Sequence, residues 1–145
     1  MTGTGAPPRK VLIVDDHPPS VVLLQSMLEG VCDCAVATSG QDALMLFQQA
    51  QTDGDPFDVV LLDIFMPDLD GIETLKRLRK LEMSHREVQL FGRQTGLTRI
   101  IMQTISDNPQ DFLDAYLEGR CNGYIQKPYS REEIIAKVCA TGAVV

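Results

Sequence analysis

Three short and almost uninterrupted apolar runs constrain the fold of this chain more than any other feature. They are VLIV within Lys10–Asp15, VVLL within Asp58–Asp63 and IIM within Arg99–Thr104. A strand with one solvated face alternates apolar and polar residues, whereas a parallel strand that is covered on both faces is apolar throughout. The three runs therefore predict the central strands of a parallel sheet that lies between two layers of helices.

Two weaker strand-like runs, Asp33–Thr38 and Gly123–Lys127, bring the predicted strands to five. Segments with helical spacing separate the strands, and S-x-x-D or S-x-x-E patterns at Ser39 and Ser130 are typical of helix starts. The apolar residues predicted to face the core are Val21, Leu24, Met27 and Leu28; Ala43, Leu46, Phe47 and Ala50; Ile72, Leu75 and Leu78; Phe112, Ala115 and Tyr116; and Ile134, Ile135 and Val138. Regular alternation of strands and helices predicts right-handed crossovers and a doubly wound α/β fold.

The length of 145 residues fits one domain with a single core. We interpret residues 1–9 as a flexible lead-in and residues 10–145 as the domain. The segment 82–98 is longer than a usual connection between a helix and a strand, so we treat it as an insertion that extends the helix or forms a flap. The basic residues in this part of the chain are interpreted as a solvated helix and loop, with a partner surface as the alternative hypothesis; they are Arg77, Arg79, Lys80, Arg86, Arg93 and Arg99.

Charge and cysteine content exclude several classes of partner. The chain has 20 acidic and 13 basic residues, and its net charge of −7 argues against direct binding of nucleic acid. No apolar run is long enough to cross a bilayer, so no membrane contact is predicted. Cys32 and Cys34 form a C-x-C without the second ligand pair of a zinc site. We interpret the cysteines as reduced thiols and predict a cytoplasmic protein.

Polar residues stand where four of the predicted strands end. Asp15 and Asp16 follow the first strand, Asp63 ends the third, Thr104 ends the fourth and Lys127 ends the fifth. An aspartate after a strand is often only a turn former or helix cap. In an open parallel sheet, however, the carboxyl ends of the strands lie along one edge, where ligands bind. We therefore expect these side chains to meet.

Three ionised carboxylates at one edge indicate a site for a cation. Carboxylates held close together raise each other's pKa unless a cation neutralises them. Oxygen ligands suit Mg²⁺, and also Mn²⁺, better than zinc. Lys127 adds a compact positive charge and Thr104 a hydroxyl donor, so the site is suited to a phosphoryl group. A carboxylate in such a site can act as a nucleophile and become an aspartyl phosphate.

The motifs VLIVDDH, VVLLDIFMPDLDGIE, IIMQT and GYIQKPYS, in this order, resemble the receiver domain of bacterial two-component response regulators. The resemblance extends from about Lys10 to Val138. It implies a flavodoxin-like fold whose five parallel strands have the order 2-1-3-4-5, with helices on both faces. It also implies a signalling phosphoacceptor that catalyses only its own phosphorylation and dephosphorylation, not an enzyme for external substrates.

The resemblance implies a role for each residue at the strand ends. Asp63 would take phosphate from a sensor histidine kinase or a phosphotransfer protein. Asp16, Asp63 and the main-chain carbonyl of Phe65 would bind Mg²⁺, with Asp15 contacting the ion through water. Thr104 and Lys127 would hold the phosphoryl oxygens.

The resemblance also implies a switch. Tyr124 would turn inward as Thr104 moves towards the phosphoryl group. The face formed by the fourth predicted helix, the fifth strand and the last helix would then control a partner or output domain.

Further residues are expected to shape the site. Met66, Pro67 and Gly71 would form the loop that frames the cation, and the peptide bond before Pro128 is usually cis in the family. Ile105 stands where the family usually has a small residue, so it is expected to narrow access to Asp63. The turn GRCNG before the fifth strand and the insertion at 82–98 also depart from the family pattern.

Two alternative functions remain open at this point. The first is a metal-dependent phosphatase of the dehalogenase type, but such enzymes carry D-x-D on their first strand, whereas here Asp15 and Asp16 are adjacent. The second is a pseudo-receiver that is never phosphorylated, for which Ile105 and the insertion are the only support. No output domain is recognisable before Val145. We therefore expect either a stand-alone receiver, as a monomer or a homodimer, or a fragment of a longer regulator or hybrid kinase.

Overall fold

The predicted parallel sheet is confirmed by the structure, a computed structural model. It describes residues 8–66, 69–88, 98–105, 110, 113–115 and 120–139, and only the backbone of 86–88. Five parallel strands have the order β2-β1-β3-β4-β5. They are β1 (Lys10–Val14), β2 (Asp33–Ala37), β3 (Val59–Asp63), β4 (Arg99–Thr104) and β5 (Gly123–Gln126).

Four helices are described, and they cover both faces of the sheet. They are α1 (Pro18–Leu28), α2 (Gly40–Thr52), α3 (Gly71–Val88) and α4 (Arg131–Cys139). The helix predicted between β4 and β5 falls mainly outside the described residues, including Phe112 and Tyr116, so α4 here is the last described helix. In the part of the chain that the structure describes, no helix combines the length and the apolar character that a membrane span requires.

Two apolar layers hold the sheet between the helices. Alternate residues of the central strands point to opposite faces, so each strand contributes to both layers. The layer under α2 and α3 contains Leu12, Val14, Phe47, Val60, Leu62, Leu75, Leu78, Ile100 and Met102. The layer under α1 and α4 contains Val11, Ile13, Leu24, Leu28, Val59, Leu61, Ile101, Ile134 and Val138. Burial on both faces explains why β1, β3 and β4 read as unbroken apolar runs.

Local hydrogen bonds set where the helices begin. The Ser39 hydroxyl accepts a hydrogen bond from the Asp42 N–H at 3.1 Å, as the sequence pattern predicted. Ser130 and Glu133 form a reciprocal capping box, with donor–acceptor distances of 3.1 and 3.2 Å. The carboxylate of Asp70 accepts from the Glu73 N–H at 2.8 Å and thereby caps α3.

The two ends of the inserted segment lie together in the structure. The helix continues to Val88, and the carboxylate of Glu82 accepts a hydrogen bond from the Thr98 N–H at 2.7 Å. Arg79 donates to Glu82 at 3.0 Å and to the Thr98 carbonyl at 2.7 Å. The interpretation of Arg79 as solvated is therefore wrong, because its side chain is buried among hydrogen-bond acceptors that include Asn122. Residues 89–97 lie outside the described part.

Candidate functional site

Three acidic side chains meet at the carboxyl end of the sheet. Asp15, Asp16 and Asp63 each place one carboxylate oxygen within 4.8 Å of the others. Asp15 is completely buried and Asp63 is 8% exposed, whereas Asp16 faces solvent. The parallel topology brings them together, since β1 and β3 are neighbours in the sheet.

Backbone N–H groups orient the two buried carboxylates. The His17 N–H donates to Asp15 Oδ1 at 2.9 Å, and the Phe65 N–H lies 3.4 Å from Asp63 Oδ1. The Asp15 N–H donates to the Ala37 carbonyl at 3.1 Å, although β1 ends one residue earlier than predicted. The hydrogen bonds of the sheet therefore fix the backbone positions from which the acidic side chains project. His17 itself is exposed, and its ring contacts the Ser20 hydroxyl.

Lys127 supplies the positive charge at this edge. Its Nζ donates to Asp15 Oδ2 at 2.9 Å and lies 3.9 Å from Asp63 Oδ2. The Lys127 N–H donates to the Thr104 carbonyl at 2.7 Å, which extends the ladder of β4 and β5 by one bond. The following peptide bond, Lys127–Pro128, is cis. The ammonium therefore bridges the two buried carboxylates.

The carboxyl group of Asp63 is electrostatically unusual. Burial raises its pKa from the ordinary value of 3.8 to about 6, although Lys127 acts to lower it. The charges of Asp15 and Asp16 contribute to this rise in the pKa. In the absence of an added cation, the fold therefore disfavours the ionised form of Asp63.

Thr104, Ile105 and Tyr124, which the sequence assigns to the site, differ in exposure. Thr104 is completely buried at the end of β4. Ile105, the next residue, is 74% exposed, so its side chain projects from the rim of the site. Tyr124 is half-buried and packs against the core layer under α2 and α3.

The loop after β3 depends on a glycine. A Cβ atom on Gly71 would lie 2.1 Å from the Asp63 carbonyl oxygen and 2.5 Å from Ile64 Cα, which no side chain can tolerate. The Gly71 N–H donates to the Ile64 carbonyl at 2.7 Å and closes the loop. Phe65 is 54% exposed, and Met66 is buried in the core layer under α2 and α3. Pro67 lies outside the described residues.

The donors present fit a hard divalent cation. One oxygen of each of the three carboxylates lies within 4.8 Å of the other two, and the Asp16 side chain is exposed to solvent. Mg²⁺ is typically held by one or two protein carboxylates and retains several waters, which such a half-open site allows. Among the described residues, no other group of three or more His, Cys, Asp or Glu side chains converges in this way.

Replacing the ionisable group at position 63 should stabilise the metal-free protein. The raised pKa means that folding weakens as pH rises from about 4 to 6, because the unfolded chain loses its proton first. In EDTA at pH 7.5, Asp63→Asn should therefore raise the free energy of unfolding by about 2–3 kcal/mol. Urea titrations at pH 7.5 and pH 4 measure the difference, which should shrink at pH 4. The matched control is Asp33→Asn, because Asp33 is an exposed carboxylate at the opposite end of the sheet. Its free energy of unfolding should equal that of the wild type at both pH values. Equal stabilities of Asp63→Asn and wild type at both pH values would contradict the account.

Sequence reasoning missed two residues beside this site, Gln103 and Tyr129. Gln103 is completely buried on β4, and its Oε1 accepts a hydrogen bond from the Tyr129 hydroxyl at 2.7 Å. A glutamine inside the apolar run IIMQT was the available signal, since an amide in a doubly covered strand needs a partner.

Comparison with known proteins identifies the family. The family model for the response regulator receiver domain matches residues 11–139 of this chain. The chain belongs to the response regulator receiver domain family. The matched range contains all five described strands, apart from Lys10, the first residue of β1.

A curated relative and two solved structures place this receiver domain among known proteins. The transcriptional regulatory protein PhoP for alkaline phosphatase synthesis of Bacillus subtilis is 34% identical over 91% of the chain. The Saccharomyces cerevisiae Ssk1 receiver domain, solved with the histidine phosphotransfer protein Ypd1, is 26% identical with a TM-score of 0.75, covering 91% of this chain and 87% of that chain. The receiver domain of the sensor histidine kinase PA1611 of Pseudomonas aeruginosa PAO1, solved with magnesium in its active-site cleft, has a TM-score of 0.71 at 22% identity, covering 90% and 93%.

The receiver domain spans only part of its curated relatives. It covers 48% of the length of the Bacillus subtilis regulator and 7% of a hybrid signal transduction histidine kinase of Dictyostelium discoideum that is 34% identical. The similarity therefore concerns the receiver module that these longer proteins share.

Proposed function

We propose that this receiver domain accepts a phosphoryl group on Asp63 in a Mg²⁺-dependent reaction. The observation that carries the proposal is the position of the Asp63 carboxylate, 3.9 Å from the Lys127 ammonium and next to two further carboxylates. One edge of the sheet thus combines a nucleophile, ligands for a cation and a fixed positive charge.

The acidic residues would contact the cation in two ways, directly or through water. Asp16, Asp63 and the Phe65 carbonyl would be direct ligands, and Asp15, which is already bonded to Lys127 and to the His17 N–H, would act through water. When bound, Mg²⁺ would neutralise the carboxylates and polarise the phosphoryl group. Mn²⁺ has the same ligand preference and is expected to substitute.

Phosphoryl transfer then needs little covalent chemistry from the protein. A carboxylate oxygen of Asp63 attacks phosphorus, the phosphorus–nitrogen bond of a donor phosphohistidine breaks, and the histidine nitrogen keeps the electron pair. The Lys127 ammonium and the Thr104 hydroxyl hold the phosphoryl oxygens. Hydrolysis of the same aspartyl phosphate is the only other reaction proposed, and Ile105 on the rim would slow the entry of water.

Phosphorylation would change the surface through Thr104 and Tyr124. The modification adds roughly −1.5 to −2 charges at Asp63. The new oxygens attract Thr104 and Lys127, and Tyr124 follows as the population shifts between two arrangements of the face that includes β5 and α4. That face would control a downstream protein, an output domain or a second copy of the chain.

The phosphate donor is proposed to be a sensor histidine kinase or a phosphotransfer protein. The complex of the similar Ssk1 receiver with the phosphotransfer protein Ypd1 supports this class of partner. We also propose a cytoplasmic location and no direct contact with nucleic acid, which the four free cysteines and the net charge of −7 support.

Small-molecule phosphodonors test the proposal without a kinase. The protein is incubated with acetyl phosphate in Mg²⁺, in Mn²⁺ or in EDTA, and its intact mass is measured. One phosphoryl group should be added in either metal and none in EDTA. An unchanged mass in all three conditions would favour the pseudo-receiver alternative and overturn the proposed function.

A further inference from the structure

Among the residues that the structure describes, Gln103 has a buried hydrogen-bond donor for which no acceptor is present. The side chain is completely buried, and its Oε1 accepts from the Tyr129 hydroxyl at 2.7 Å. In the described part of the chain, its Nε2 has no hydrogen-bond partner. A buried donor left unpaired lowers the stability of the folded protein, so a polar residue at this position calls for an explanation.

Gln103 and Asp63 lie side by side on neighbouring strands. Asp63 and Gln103 are partners in the register of β3 and β4, and adjacent strands are about 4.8 Å apart. Leu61 and Ile101, two residues earlier on each strand, both belong to the core layer under α1 and α4. The period of two in a strand therefore places the Asp63 and Gln103 side chains on that same face.

Tyr129 fixes which end of the amide remains free. Oxygen and nitrogen of a glutamine amide are assigned from the hydrogen-bond network. The opposite orientation would leave Oε1, an acceptor, unpaired beside the acidic site, where electrostatic repulsion disfavours it. Burial raises the pKa of Tyr129, and the charges of Asp15 and Asp63 raise it further, so its hydroxyl remains a proton donor close to the site.

We propose that Gln103 is a positioning residue that senses the phosphoryl group: its free Nε2 is unpaired in the unmodified protein and gains an acceptor when Asp63 is phosphorylated. Phosphorylation adds three strong acceptor oxygens at Asp63, the residue that pairs with Gln103 in the sheet. The unpaired amide therefore destabilises the unmodified state, and phosphorylation removes this destabilisation. Tyr129 acts through Gln103 by holding the amide in this orientation.

The inference rests on the proposed phosphoacceptor function and predicts opposite effects on two properties. In the Tyr129→Phe background, where no hydroxyl loses its acceptor, Gln103→Met removes the unpaired donor at nearly the same volume and should make the unmodified protein more stable. The Gln103→Met variant should bind beryllofluoride, a phosphoryl mimic for carboxylates, about 5–10-fold more weakly in Mg²⁺, because a hydrogen bond of the modified state is lost. A purely structural role would change stability and leave this affinity unaltered.

Calorimetric titration with beryllofluoride in Mg²⁺ measures the affinity, and urea unfolding measures stability. Tyr129→Phe should weaken binding less than Gln103→Met, and the double variant should match Gln103→Met alone, since Tyr129 acts only through the amide. The matched control Gln49→Met, an exposed glutamine on α2, should bind as the wild type does. In ¹⁵N-labelled protein, the side-chain amide signal of Gln103 should shift when beryllofluoride is added.

The outcomes separate this inference from the function on which it rests. If the wild type itself fails to bind beryllofluoride in Mg²⁺, the proposed function is overturned together with the inference. If the wild type binds, but Gln103→Met binds equally well and the amide signal does not move, the inference alone is overturned.

Discussion

Asp63→Asn is expected to abolish phosphorylation by acetyl phosphate in Mg²⁺. The carboxylate of Asp63 is the nucleophile in our account, and an amide of the same shape is a poor nucleophile. The variant also removes one charged cation ligand, so its affinity for Mg²⁺ should fall. Its fold should be intact, since removing a buried charge stabilises the metal-free protein. Intact mass after incubation and calorimetric titration with Mg²⁺ measure the two effects.

The control for this prediction is a neutralised carboxylate elsewhere on the sheet. Asp33 is exposed at the start of β2, at the opposite end of the strands from the acid cluster, which consists of Asp15, Asp16 and Asp63. Asp33→Asn makes the same change in net charge and should be phosphorylated at the wild-type rate. Modification of Asp63→Asn at a comparable rate would show that the phosphoryl group goes to another residue.

Lys127→Met is expected to separate cation binding from phosphoryl transfer. The ammonium lies 2.9 Å from Asp15 and 3.9 Å from Asp63, so it neutralises the carboxylates in the unmodified protein. Its removal leaves more negative charge for the cation, and Mg²⁺ should bind more tightly. Phosphorylation should slow about 10²–10³-fold, because a fixed charge on the transferring group is lost. The rate is measured from the growth of the phosphorylated mass with time.

An exposed lysine on a neighbouring element provides the matched comparison. Lys137 lies on the solvent side of α4, away from the acid cluster, and Lys137→Met should leave both the Mg²⁺ affinity and the rate unchanged. If Lys127→Met is phosphorylated as fast as Lys137→Met, Lys127 has no part in the transfer.

The central strands and the position of the acid cluster were predictable because both follow from burial. A parallel strand covered on two faces has to be apolar along its length, so the runs before Asp15 and Asp63 identify β1 and β3. Parallel topology then places the residues after those strands at one edge. The helix starts at Ser39 and Ser130 were predictable for a similar reason, since the capping bonds are local.

The contacts that the sequence did not reveal join residues far apart in the chain. Arg79 lies on a helix that looks solvated, but its acceptors include Thr98 and Asn122 on other segments. The pairing of Gln103 with Tyr129, and the position of Gln103 beside Asp63, depend on the register of strands and on the turn after β5. Local patterns carry no information on such pairings, so these residues emerge only from the fold.

The site of modification is the most direct test of the whole account. Wild-type protein phosphorylated with acetyl phosphate in Mg²⁺ is reduced with borohydride, which converts an aspartyl phosphate to homoserine, and the peptides are sequenced by mass spectrometry. The account predicts homoserine at position 63 and at no other aspartate. Homoserine at Asp15 or Asp16, or a phosphorylated protein in which Asp63 is unchanged, would contradict it.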